Sequence, residues 1–310
     1  MNLEPLIPIF CVIVLGFFVS RTPISSKSVW ECLERLTYYL FFPALLIIRI
    51  SAVNFEAAKL LDVGMSLGFA LFVFTALFVG LRQFIATDIG SLSSVYQGGT
   101  RFNTYIGLAC VDALYGDYGI ALSGLCLVIY IPAVNVLSVI ALTAGGRAGN
   151  RITIVTGSVL TNPLVLACLI GTVLGVYQVD APNFVRELLE VLSRPALPLG
   201  LLAVGAGIRV ISFSTQSWQL VVASSCKFLI FPALVVAGTV LFRVSSDLSA
   251  ILLLLTCLPS PPSAYILARQ LGGNVSLMAN IITLQTVVAF FATPLWVDTT
   301  NRFLWSNQIL

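Results

Sequence analysis

The sequence predicts an all-α polytopic membrane protein of ten transmembrane helices, built as two inverted five-helix repeats with broken, crossing helices four and nine. Three observations carry this expectation: composition, the spacing of apolar runs, and the order of proline and glycine along the two halves. Of 310 residues, 58% are hydrophobic and 9% charged, with a mean hydropathy of +1.02. An ordinary soluble domain carries roughly 25% charged residues, so this chain cannot cover a water-facing surface. Lys and Arg exceed Asp and Glu by only three, 16 against 13, which argues against a nucleic-acid partner. There is no histidine, and with it go the commonest metal ligand and a common general base. No metal and no cofactor are expected. The seven cysteines (11, 32, 110, 126, 168, 226, 257) show no CxxC spacing and read as small buried hydrophobes.

Apolar runs of about 20 residues fall near 3–20, 33–53, 60–81, 89–115, 118–142, 153–177, 184–211, 217–242, 246–270 and 275–297. The first lacks the positive region and small-residue cleavage site of a signal peptide, so it reads as a retained span. The longest hydrophilic break, TAGGRAGNR from Thr143 to Arg151, lies near the middle of the chain. It divides a first repeat (1–143) from a second (153–310), with a short connector (144–152) between them.

The halves correspond. A shift of 155 residues lays Pro8 on Pro163, Gly16 on Gly171 and Pro43 on Pro198; a shift of 157 lays Leu114 on Leu271, Gly116 on Gly273 and Asp117 on Asn274. Five spans per half is odd, so the second copy enters the membrane from the opposite side, as in many secondary transporters. Loops on one side carry Arg21, Lys27, Arg35, Arg82, Arg147, Arg151, Arg209 and Arg269; the other side carries Arg49, Lys59, Arg186, Arg243 and Arg302. The excess of eight over five places the connector in the cytoplasm and both termini outside.

Spans four and nine are interrupted at their centres. Span nine holds LPSPPSAY, Leu258 to Tyr265; span four holds QGGTRFNTYIG, Gln97 to Gly107. Proline lacks a backbone donor and clashes with the preceding turn, and unwound backbone at membrane depth survives only inside protein or along a watery cavity. Half-helix N-termini carry partial positive charge and attract anions. Matched breaks in both halves therefore point to a transport site, although a proline kink is tolerated in membrane helices for packing alone. Gly98, Gly99 and Pro259 would shape the crossing.

FNTYIGLACVDALYGDYG (Phe102 to Gly119) resembles the first crossover of the auxin efflux carrier family, and Pro259 to Gly273, with AYILARQLGG, resembles its second. TNPLVLACLIG (Thr161 to Gly171), PLGLLAVGAGI (Pro198 to Ile208) and KFLIFP (Lys227 to Pro232) resemble its sixth, seventh and eighth spans. The resemblance implies a fold shared with bile-acid symporters and sodium/proton antiporters, with a scaffold of spans 1, 2, 6 and 7 and a transport unit of spans 3–5 and 8–10. It also implies carriage of organic anions, with Asn103 helping to bind a carboxylate. Two departures stand out: Ala109 occupies a place where many members have Pro, and the long cytoplasmic loop of the plant carriers is absent. The chain thus looks like a compact bacterial member in the cell membrane.

The candidate substrate-binding residues are Asn103, Thr104, Gly107, Ser260, Pro261, Pro262, Ser263 and Lys227. An Asn offers two donors and an acceptor and can equally cap a half-helix. Lys227 lies nine residues past Trp218, roughly 13 Å along a helix, too deep for easy snorkelling. It either neutralises carbonyl ends at a crossover or attracts the anion. Arg101 is a second basic candidate, and Asp112 reads as interfacial. A sodium- or proton-coupled symporter is the alternative: Ser260 and Ser263 could ligate sodium, but no paired acids lie in the spans. An intramembrane enzyme lacks residues to work with, and a non-transporting receptor remains a distant third. The partners expected are a small organic anion, the lipid bilayer and, in one arrangement, a second copy of the chain.

Overall fold

The computed structural model describes residues 4–23, 25–52, 57–86, 88–143, 161–179, 181–208 and 216–306. The connector at 144–152 and the start of the sixth apolar run lie outside the described residues. Helices make up most of the described residues, with no strand among them. In chain order the helices are α1 (Ile7–Val19), α2 (Lys27–Leu36), α3 (Phe42–Ser51), α4 (Ala57–Gly80), α5 (Arg82–Ile85), α6 (Ile89–Thr100), α7 (Thr104–Thr143) and α8 (Pro163–Val176). They continue as α9 (Asn183–Ser193), α10 (Ala196–Gly207), α11 (Ser217–Ser225), α12 (Phe231–Leu241), α13 (Ser246–Thr256), α14 (Pro262–Leu271) and α15 (Val275–Ser306).

Five stretches are long and apolar enough to cross a membrane: Lys59–Gly80, Ile89–Leu142, Asn183–Gly207, Ser217–Leu241 and Val275–Thr299. Shorter apolar helices cover Glu4–Val19, Pro163–Val176 and Ser246–Thr256. The protein is therefore an all-helical, multi-pass membrane protein. Many large apolar side chains face outward, among them Phe18, Phe72, Phe84 and Leu295, as a lipid solvent permits and water does not.

The second apolar run, read as 33–53, is preceded by an amphipathic helix that an apolar window misses. In α2, KSVWECLERL, charged and apolar residues alternate with helical period, and Ser26 caps its start by accepting from the Val29 amide. Helix α9, NFVRELLEVLS, repeats this character before α10, where Pro195 cannot extend the helix. Five of the seven cysteines are buried as expected, but Cys11 and Cys32 lie on exposed faces. Neither pairs with another cysteine; Cys11 lies on the apolar α1, where an outward thiol meets lipid at little cost, and Cys32 on the amphipathic α2.

Two π turns, Thr37–Phe41 and Cys226–Ile230, have a shared cause. Each is followed by Phe-Pro, Phe42-Pro43 and Phe231-Pro232. The proline cannot donate to the carbonyl four residues back, and the amide before it bonds five residues back, Phe42 to Thr37 and Phe231 to Cys226. The carbonyl freed by Pro232 is that of Phe228, which accepts instead from the Trp296 indole at 2.6 Å.

Helices cross closely where glycine removes the side chain. Helix α1 packs along α10, and α3 along α8. A Cβ at Gly16 would fall on the Leu202 backbone, and one at Gly205 on the Ile13 carbonyl; one at Gly171 would meet Ile50 and the Leu46 carbonyl. Any side chain at Gly16 or Gly205 must push two backbones apart. The limbs of α7 meet at Gly116, whose φ of +60° turns the chain without a loop. That conformation favours glycine because a Cβ would clash.

Candidate functional site

The first break runs over Arg101–Asn103, between α6 and α7, and the second over Cys257–Pro261, between α13 and α14. They lie against each other. The Asn103 amide donates to the Pro259 carbonyl at 2.7 Å, and the Ser260 hydroxyl donates to the Gly98 carbonyl at 3.1 Å. Gln285, in the first half of α15, ties them together. Its Oε1 accepts from the Ser260 amide at 2.9 Å, and its Nε2 donates to the carbonyls of Gly98 (2.9 Å) and Ala223 (3.3 Å). Backbone groups freed by the breaks are thus satisfied in part by the facing break and in part by Gln285, as burial at membrane depth demands.

Under the first break lies a column of rings. Phe102 stacks on Tyr130 at 4.8 Å, Tyr130 lies 6.0 Å from Phe231, and Phe231 packs edge-on to Phe74 at 5.5 Å. The Tyr130 hydroxyl donates to the Thr100 carbonyl at 2.7 Å, closing the end of α6. Gly98 and Gly99 lie within α6 just before the break. A Cβ on Gly98 would meet Ile281 and Ala223, and one on Gly99 would meet Phe74 and Cys226. They let α15, α11, α4 and the second π turn approach. Gly107 does the same for Leu255 and Leu258.

Most first-turn amides are already spent, which sequence reasoning did not foresee. Asn103 Oδ1 accepts from the amides of Tyr105 (3.0 Å) and Ile106 (3.3 Å). In α14 the first helical residue is Pro262, which has no N–H, Pro261 precedes it in extended backbone, and the Ala264 amide bonds the Pro261 carbonyl. Thr104 and Ser263 are left to supply the remaining first-turn amides. Anion-binding capacity therefore passes from backbone to side chains.

Three side chains have it to offer. Asn103 is 1% exposed, and with Oδ1 used as a cap its Nδ2 has no hydrogen-bond partner. Capping and ligand binding thus use opposite ends of one amide. Arg101, 8% exposed, donates through Nη2 to the Ser263 hydroxyl at 3.2 Å while Nη1 has no partner. Lys227, fully buried in the second π turn, has no hydrogen-bond partner for Nζ, which lies 6.0 Å from the Phe231 ring centre. Arg101 meets the start of α14, and Lys227 has Cys257, at the end of α13, as its electrostatic neighbour. Arg101 is thus bonded to the second half-helix, and the π turn that carries Lys227 packs through Cys226 on Gly99, just before the first break.

Among the described residues the ion pairs lie elsewhere: Lys27 with Glu31, and Arg49 with Asp117 and Glu190. No carboxylate pairs with Arg101 or Lys227, and no group of three potential metal ligands occurs among the described residues. The structure thus brings together Asn103, Ser260, Ser263 and the prolines 259, 261 and 262, with Thr104 opening α7. Arg101, named from sequence only as a secondary candidate, stands at the centre. Gln285 was missed; its signal was a lone amide in the apolar run IITLQTVVAFFATP.

A buried crossing of broken helices in a multi-pass membrane protein is an arrangement found in secondary transporters. The model of the family described as "Membrane transport protein" matches residues 1–297, and the chain belongs to that family, the auxin efflux carrier family. The chain is also similar to an uncharacterized transporter, MJ1031, of Methanocaldococcus jannaschii, with 20% identity covering 93% of this chain and 95% of that one.

Proposed function

We propose that the protein is a secondary carrier of small organic anions, carboxylates foremost, moving them by alternating access and serving efflux from the cell. One observation carries this reading: a buried guanidinium, a buried lysine and an unpartnered Asn amide converge on crossed helix breaks, and no acid pairs with them among the described residues. An unpaired buried charge is costly, and a bound anion removes the cost. The carboxylate lies between Arg101 Nη1 and Asn103 Nδ2, with Thr104, Ser260 and Ser263 around it and Lys227 beyond. Asn103 and Ser260 are sealed from solvent here, so substrate reaches them only when helices move.

The ten-span inverted repeat is part of the proposal. The pairing of α1 with α10 and α3 with α8 supports it, because exchanging the halves turns one pair into the other. The 155-residue shift carries Gly16 to Gly171 and Ile50 to Gly205, and these residues make the two crossings. The amphipathic pair α2 and α9 also correspond. The scaffold is then α1–α3 with α8–α10, and the transport unit is α4–α7 with α11–α15. Both termini lie outside a cell membrane; a reporter fused at Leu310 that is active only in the cytoplasm would reverse this.

Thermal-shift titration of the purified protein against mono- and dicarboxylates tests the substrate class, and Asn103→Ala tests the site. Losing a hydrogen bond to a charged group costs about 1.5–3 kcal/mol, so binding should weaken roughly ten- to hundredfold while the protein stays folded. Wild-type affinity in that variant removes Asn103 from the site.

A further inference from the structure

The lysine in the second π turn has a feature that anion binding alone does not use. Arg101 keeps its charge in every state, whereas Lys227 can give its proton up. Its Nζ is sealed from water and has neither hydrogen bond nor counter-charge among the described residues. The ionisable groups around it give no help. Elements packed on the π turn are α6, α11 and α12, with α15 reaching it through Trp296. Tyr96 of α6 is engaged with Thr75, and Tyr130 of α7 with the Thr100 carbonyl. Cys226 precedes Lys227 in the chain and Cys257 lies beside it. The other cation is Arg101, and the acid of α15, Asp298, forms no ion pair with Lys227. Helices widen into π turns rarely and often at functional positions, and this one sets a lysine beside the transport crossing.

We propose that Lys227 is the coupling group of a proton–anion symport. It is an uncharged amine in the sealed, empty carrier and an ammonium when the anion is bound. The inference rests on the carrier reading above. An ammonium closed off from water without a partner is disfavoured, and an anion beside the second break supplies the missing charge. Proton and anion therefore favour each other's binding, by the reciprocity of linked equilibria. The balance is simple: one proton from water on the entry side joins the Lys227 amine as one anion binds, and both leave on the far side. The empty carrier then returns with a neutral lysine, so a monoanion moves without net charge.

The test uses the purified full chain in liposomes with a trapped pH dye, voltage clamped by potassium and valinomycin, and radiolabelled pyruvate or succinate. Counterflow is measured first. Its absence with both probes overturns the carrier reading and this inference together. With counterflow present, an inward gradient of the probe should acidify the lumen in step with uptake, and affinity should rise as pH falls, by up to about tenfold per unit. Uptake without lumen acidification overturns the proton coupling and leaves the carrier intact. Lys227→Arg, which cannot release its proton, should lower the ratio of net uptake to exchange at least tenfold, because the empty carrier cannot return. If that variant fails to fold, Lys227→Met serves: its residual binding should no longer depend on pH. A pH profile equal to that of the wild type in Lys227→Met refutes the assignment.

Discussion

Arg101→Leu is expected to abolish most carboxylate binding while leaving the protein as stable as the wild type, or more so. The guanidinium is buried, holds one bond to Ser263 and has a second nitrogen without a partner. In the empty protein this unpaired charge is a liability. Replacing buried charge by apolar side chains of similar volume is often neutral or stabilising. In the anion-bound protein the same group supplies a charge-assisted hydrogen bond, and truncating one side of such a pair costs about 2–5 kcal/mol. The dissociation constant should rise at least roughly thirtyfold, since about 1.4 kcal/mol is tenfold. Arg101→Lys should recover only part of this, because a point charge cannot reach Ser263 and the anion at once as the planar fork does. Melting temperature and affinity are read on the same samples. A variant that melts earlier and binds normally would make Arg101 a structural residue and take away the strongest support for an anionic substrate.

What the sequence makes legible here follows from which forces act locally. The break in span nine is readable because Pro259, Pro261 and Pro262 act within a few residues; the Gly98–Gly99 pair marks span four, although α6 runs through it to Thr100. The family likeness carried by the Phe102–Gly119 and Pro259–Gly273 runs extends over residues 1–297. Helix α2 escapes an apolar window because one of its faces is charged, and α9 is merged with α10 into the single apolar run near 184–211. The expected free amides of the half-helices are not there to be counted from sequence, since Asn103 folds back onto its own helix and Pro262 removes a donor. Gln285 joins residues 25 and 187 positions away. Such long-range bonds leave no trace in spacing, only an isolated amide in an apolar run.

The prolines of the second break divide their work. In LPSPPSAY, Pro261 and Pro262 stand side by side. In the structure Pro262 occupies the first helical position, where its missing N–H costs nothing. Pro261 is held extended by the proline after it. Pro259 follows the end of α13, so replacing only Pro261 and Pro262 leaves one block in place. The sharper experiment changes all three to Ala. Helix α13 could then run on through the break. The Ser260 amide would turn from Gln285 to the carbonyl of Thr256, and the Pro259 carbonyl would turn from the Asn103 amide into the helix. Gly98 would lose the Ser260 hydroxyl, and the two breaks would no longer hold each other. A helix that runs through the break regains the backbone hydrogen bonds the prolines forgo, so melting temperature should hold even as those contacts go. Transport should fall at least tenfold, equivalent to about 1.4 kcal/mol in the rate-limiting barrier, because the side chains that meet the anion depend on the crossing for their positions. If the triple variant is stable and carries carboxylate at the wild-type rate, the crossed breaks serve packing alone, and the site must be sought elsewhere in the bundle.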